Sequence, residues 1–117
     1  VKKWFKGLAN IRGHLIPVTD MHHYLFDEPI SLTKDVRILM AHHDNMDIGL
    51  IVDRVLGLRN FNMEDKAERL SDSAAESDND VLKYVGYSFV RGAEEWMVLD
   101  LERLLLDDRF LHISEAA

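Results

Sequence analysis

Apolar residues occur along this 117-residue chain in short bursts separated by glycine, aspartate and asparagine, a rhythm of strands and turns rather than of long helices. Gly7 to Val18 is apolar but broken by Gly13 and His14, which predicts two short strands around a tight turn, with Pro17 near a strand end. Asp20 precedes Met21-His22-His23-Tyr24-Leu25-Phe26 and carries the carboxylate needed to cap the first turn of a helix; Asp27 to Pro29 ends it. Val36 to Ala41 predicts a buried strand and Asp44 to Asp47 a turn. Ile48 to Leu58 predicts a second, longer strand of the same hairpin, with Gly57 as a bulge or bend.

The pattern then lapses. Met63 to Asp80 is polar and includes the small-residue stretch Ser71 to Ala75, which predicts a connecting loop rather than core. Regularity returns at Val81, with a strand from Tyr84 to Val90, a turn over Arg91 to Glu95, a strand from Trp96 to Leu99, and Asp100 capping a helix through Leu101, Leu104 and Leu105. This repeats the opening. Gly7, Arg12-Gly13 and Val18-Thr19-Asp20-Met21 answer to Gly86, Arg91-Gly92 and Val98-Leu99-Asp100-Leu101, with one residue of difference in hairpin length. Two related halves are expected, each glycine pair serving strand geometry and each aspartate starting a helix at the end of a small barrel.

Composition narrows the picture. A chain of this length, 47% hydrophobic, suits one domain of modest core. It has no cysteine, so disulfide and thiolate chemistry are excluded, and its apolar runs are too short to span a membrane. A cytoplasmic protein without direct membrane insertion is expected. The net charge of −7 is concentrated in residues 62–80, where seven acids face only Lys66 and Arg69. The only basic cluster, Lys2, Lys3 and Lys6 beside Trp4 and Phe5, is too short for a nucleic-acid surface.

At the level of motifs, Lys6-Gly7-Leu8-Ala9-Asn10-Ile11-Arg12-Gly13 followed by Ile16-Pro17-Val18-Thr19-Asp20 resembles the signature of CheW-like domains. Gly49-Leu50-Ile51-Val52-Asp53-Arg54-Val55-Leu56-Gly57 is similar to that family's second signature, and Gly86 through Leu105 to its closing strand pair and helix. Leu58-Arg59-Asn60-Phe61, Trp96 and Asp108-Arg109-Phe110-Leu111 look like the PilI-type branch, whose members serve chemosensory systems controlling type IV pili and twitching motility. The resemblance implies a mainly β fold with short helices: two SH3-like, five-stranded β-barrel subdomains, the first lacking its N-terminal strands in this chain. Residues 1–117 would then be one N-terminally truncated domain. Residues 1–35 would be the remnant of the first barrel and the linking helix, and 36–117 the remaining strands, including most of the second barrel. Exposed strand edges in such a fragment predict a homo-oligomer or strand-exchanged dimer.

The resemblance also implies a non-catalytic adaptor that joins a methyl-accepting chemoreceptor to a CheA-like histidine kinase and reaches membrane receptor arrays through those partners. Arg12 is the leading partner-binding candidate, because a guanidinium fixed at a tight turn offers planar, paired hydrogen bonds; the alternative is an arginine tying together its own loops. Gly13 and Gly86 would act indirectly through backbone shape, with Asn10 in the same turn motif as Arg12. Val52, Val55 and Leu56 would line contact surfaces or belong to the core, and Asp53 and Arg54 would be rim contacts or a solvated face.

Histidine invites a different function. His14, His22-His23 and His42-His43 suggest metal binding, yet adjacent residues point apart on a helix or strand and no His-x-x-x-His spacing occurs. No phosphate loop, nucleophile elbow or carboxylate pair for acid-base work is present, so neither an enzyme nor a cofactor is expected. A small β-barrel ligand-binding module and a metal-binding protein remain as alternatives.

Overall fold

A computed structural model describes residues 2–67 and 80–111. It is mainly β with short helices, and it divides into two compact units. The first is the chain up to Leu56 with the segment beginning at Asp107; the second is Gly57–Leu106.

In the first unit β1 (Phe5–Ile11) and β2 (His14–Asp20) form an antiparallel hairpin, followed by helix α1 (Met21–Phe26). β3 (Arg37–His43) and β4 (Met46–Val52) form a second hairpin, and β4 lies parallel to β2, giving the sheet order β1-β2-β4-β3. Because β3 and β4 join the first sheet, the units divide between Leu56 and Gly57, and a subdivision near residue 35 falls inside one unit.

Both hairpins turn on two residues with positive φ, Arg12-Gly13 and Asp44-Asn45, the backbone that matches the right-handed twist of paired strands. The first turn sets how Pro17 is accommodated. With Ile11 opposite His14 across a two-residue loop, alternation makes Leu8 and Pro17 a non-hydrogen-bonded pair. The missing N–H of Pro17 therefore faces away from β1, and pairing with β4 begins only at Val18. Proline sits inside this strand rather than near its end, at no cost to the β1–β2 ladder.

Asp20 is fully buried and caps α1 as its sequence position predicts. Its Oδ1 accepts the His23 N–H at 3.0 Å and its Oδ2 accepts the Ile30 N–H at 2.9 Å, so one carboxylate fixes both the start of the helix and the chain beyond it. Ile16, Val18, Met21, Tyr24, Ile48, Leu50 and Phe110 make the core. Helix α3 (Asp108–Leu111) belongs to this unit: Phe110 meets Tyr24 edge-on at 5.2 Å, and Tyr24 meets Trp4 edge-on at 5.1 Å. Arg109 lies 4.6 Å from the Trp4 ring and 4.3 Å from the Tyr24 ring.

Three expectations need correction here. β3 is not buried; it is a sheet edge, with Ile38, Leu39 and Met40 all exposed. The strand expected over Ile48 to Leu58 stops at Val52, because its partner β3 begins at Arg37, the residue paired with Val52. Gly57 has φ of +90° but lies outside any strand, so it makes no bulge.

The second unit carries β5 (Lys66–Ala67), β6 (Val85–Arg91) and β7 (Glu94–Leu99) in that order, then helix α2 (Leu101–Leu105). A 3-10 turn occupies Met63–Asp65 and a five-residue 3-10 helix Asp80–Tyr84. Tyr84, Val85, Ser88, Leu104 and Leu105 are buried. The polar segment read as a loop thus contributes a 3-10 turn at Met63–Asp65 and a strand at Lys66–Ala67, and residues 68–79, including Ser71 to Ala75, lie outside the described residues. Among the described residues no helix is long and apolar enough to cross a membrane.

The internal repeat is closer than the glycine count suggests. Phe5 faces Thr19 and Gly7 faces Val18, with a bulge between; Val85 faces Leu99 and Tyr87 faces Val98, again with a bulge between. Each pair of counterparts is separated by 80 positions, and the hairpins are equal in length. Gly7 corresponds to Tyr87, and Gly86 to Lys6 on the bulge. Arg12 corresponds to Gly92, a turn residue with φ of +60°, whereas Arg91 is the last residue of β6.

Candidate functional site

The partner-binding candidates separate into three places. Asn10, Arg12 and Gly13 form the β1–β2 turn, which precedes the first residue of β2. Val52 ends β4, and Asp53, Arg54 and Val55 follow it. Since β2 and β4 run parallel, these groups lie at opposite ends of one sheet, separated by the length of a seven-residue strand, roughly 20 Å. Gly86 belongs to the second unit.

At the turn, Asn10 Oδ1 accepts the Gly13 N–H at 3.1 Å, which commits that oxygen to holding the loop. Arg12 takes φ of +52°, a conformation that costs a residue with a Cβ roughly 1 kcal/mol or more. Its guanidinium makes no hydrogen bond, ion pair or ring contact among the described residues, so the arginine does not tie its own loops together. Arg91 does. Its Nη2 donates to the Asn60 carbonyl at 2.7 Å, its Nε lies 3.8 Å from Asp65, and its guanidinium lies over Phe61 at 5.6 Å. Phe61 in turn stacks on Phe89 at 4.8 Å, so Arg91 holds the 60–65 segment against β6.

Gly86 has neither a positive φ nor a close approach: a Cβ there would meet Asp100 at an ordinary 3.8 Å. The expectation that glycine is needed at 86 for backbone shape is therefore not met. Gly7, with φ of +118°, is the position of the two that favours glycine.

At the far end of the sheet, Val52 and Asp53 border an apolar hollow of about 170 Å³ completed by Met21, His22, Leu25 and Phe26 of α1. Arg54, Val55 and Leu56 border a second hollow of about 340 Å³ with Asp35 and Arg37. Val55 and Leu56 are 53% and 49% exposed, so they are surface rather than core. Sequence reasoning missed Arg37, whose Nη1 donates to the carbonyls of Lys34 at 2.8 Å and Val36 at 2.9 Å, and missed the α1 face of the hollow. The helix was legible from the Asp20 cap, but its pairing with the exit of β4 depends on the parallel β2–β4 contact.

The histidines are engaged separately. His22 Nδ1 donates to the Glu28 carbonyl at 2.7 Å, and His42 pairs with Asp47 across the β3–β4 hairpin at 2.6 Å. Among the described residues no group of three or more potential ligands is arranged to hold a metal ion.

Comparison with known proteins agrees with this architecture. The model of the CheW-like domain matches residues 1–109. Protein PilI of Pseudomonas aeruginosa is 32% identical over 114 residues, covering 97% of this chain and 61% of PilI. Chemotaxis protein CheW of Thermotoga maritima is 28% identical over 95 residues, 72% of this chain and 60% of that protein. The crystal structure of scaffolding protein TtCheW from Thermoanaerobacter tengcongensis superposes with a TM-score of 0.69 at 21% identity, covering 86% of this chain and 62% of that one. The chain thus spans about three fifths of the length of these relatives. With a family match over nearly its whole length, and two sheets consistent with SH3-like subdomains, this chain belongs to the CheW-like domain family.

Proposed function

We propose that this chain is part of a non-catalytic cytoplasmic adaptor that couples a methyl-accepting chemoreceptor to a CheA-like histidine kinase, in the branch that controls type IV pili and twitching motility. Membership of the CheW-like family and the likeness to PilI support the signalling class and the branch. The observation that carries the adaptor reading is the separation of its candidate surfaces. An adaptor must hold two partners without one displacing the other. The uncommitted Arg12 turn and the Val52–Leu56 surface stand at opposite ends of one sheet, far enough apart for both to be occupied at once. A strained arginine with no internal partner further fits a residue kept for binding.

The test uses the full-length protein with purified kinase and receptor signalling fragment. Arg12→Asp should weaken one of the two complexes and leave the other unchanged. Equal loss of both, or of neither, would count against two independent surfaces.

A further inference from the structure

The two units repeat each other at a spacing of 80 positions, but one place in the repeat is filled in the first unit and open in the second. In the first, β2 is paired on both sides, antiparallel to β1 and parallel to β4, with Val18, Thr19 and Asp20 against Gly49, Leu50 and Ile51. Val18, Thr19, Asp20 and Met21 are all buried there. In the second, β7 takes the place of β2, and among the described residues it pairs with β6 alone and forms the edge of its sheet. None of the counterparts Val98, Leu99, Asp100 and Leu101 is buried. Residues 98–103 border, with Gly86 and Tyr87, a hollow of about 480 Å³.

We propose that a strand of the full-length protein lying outside these 117 residues fills this place, parallel to β7 along Val98–Asp100, as β4 does on β2. The backbone of β7 is set for it. The Asp100 N–H donates to the Tyr84 carbonyl at 2.6 Å, so alternation turns the Leu99 N–H to the open side of the strand, where Thr19 meets β4 in the first unit. The cap carboxylate is likewise half used. Asp100 Oδ1 accepts the Glu102 and Arg103 N–H groups, as Asp20 Oδ1 accepts that of His23. Oδ2, which in Asp20 accepts the Ile30 N–H, has only Arg103 Nε at 3.5 Å. The residue 80 positions after Ile30 is Phe110, which packs on Tyr24 in the first unit, so the chain following α2 does not supply the corresponding N–H.

The strand on β2 comes from the same polypeptide, and the same source serves β7. The match to PilI covers 97% of this chain but 61% of PilI, which leaves about two fifths of such a protein to furnish a strand. A strand of the same chain pairs at high effective concentration and closes an edge that would otherwise template aggregation. This gives the second unit a strand of the kind that the family resemblance led us to expect for the first.

Hydrogen exchange followed by NMR on the full-length protein tests this at one amide. The Val98 and Asp100 amides face β6 and Tyr84 and are protected by the hairpin itself, whereas the Leu99 amide exchanges slowly only if a strand covers it. The expected result is exchange at Leu99 at least about a hundredfold slower than in the unfolded chain, independent of protein concentration, with through-space contacts from this amide to a residue outside 1–117. Fast exchange at Leu99 would overturn the inference, as would contacts to a residue within 1–117. Protection that rises with concentration and brings contacts between differently labelled copies would assign the edge to a second copy instead. Protection that appears only on adding kinase or receptor would assign it to that partner, and either result overturns the inference.

Discussion

Asp20 and Asp100, separated by 80 positions, do the same work in the two units. Each donates its backbone N–H to a carbonyl 16 positions earlier, Trp4 at 2.8 Å and Tyr84 at 2.6 Å, and each caps the helix that follows. They differ in burial. Asp20 is fully buried and accepts two N–H groups from separate segments, whereas the Asp100 side chain is 39% exposed and accepts from Glu102 and Arg103 within its own helix turn. Asp20→Ala is expected to cost about 3 kcal/mol, since it orphans two N–H groups, and Asp100→Ala about 1 kcal/mol. Urea denaturation of the two variants measures the difference, and equal losses would contradict it.

Gly7 and Gly86 should respond differently to a methyl group. Alanine at 7 must adopt φ near +118°, so Gly7→Ala is expected to destabilise by more than about 1 kcal/mol. At 86 the methyl meets Asp100 at van der Waals distance and the backbone is unstrained, so Gly86→Ala is expected to be neutral to within about 0.5 kcal/mol. Thermal melts of both variants decide this.

Arg109 fastens α3 to the first unit by lying near two rings and donating through Nη2 to the Tyr24 carbonyl at 2.7 Å. Removing it in Arg109→Ala forfeits the ring contacts and the hydrogen bond, about 2 kcal/mol together. Arg109→Lys keeps the charge but not the planar group, and is expected to recover only part of that loss. Hydrogen exchange at the Phe110 amide, which donates to the Asp107 carbonyl at 3.0 Å, reports whether α3 loosens in step.

Arg12 is expected to be dispensable for folding. Its guanidinium has no internal partner among the described residues, and its backbone is strained, so Arg12→Gly should hold or raise the melting temperature while weakening partner binding. A variant that unfolds would return Arg12 to a structural role.

What could be read in the sequence was local. Asp20 and Asp100 announce their helices because a cap needs only the residue before an apolar run, and Arg12-Gly13 announces its turn for a similar reason. What could not be read depends on partners distant in sequence. β4 ends at Val52 because β3 begins at Arg37, although the apolar run continues to Leu58. Lys66–Ala67 is a strand because β6 offers it an edge, despite its polar surroundings. Val36 to Ala41 has the composition of a core strand, but the sheet order leaves β3 at its edge. The candidate site was legible as residue types at Arg12 and Val52 to Val55. Its division between two ends of a sheet, and the part played by Arg37, required the parallel pairing of β2 with β4.

The most direct test of the adaptor account is a three-component sedimentation assay, in which receptor-bearing membranes are mixed with kinase in the presence and absence of the full-length protein. The account predicts that kinase sediments with the membranes only when the adaptor is added, and that Arg12→Asp weakens this recruitment. Kinase that sediments equally well without the adaptor, or an adaptor that binds neither component, would contradict it.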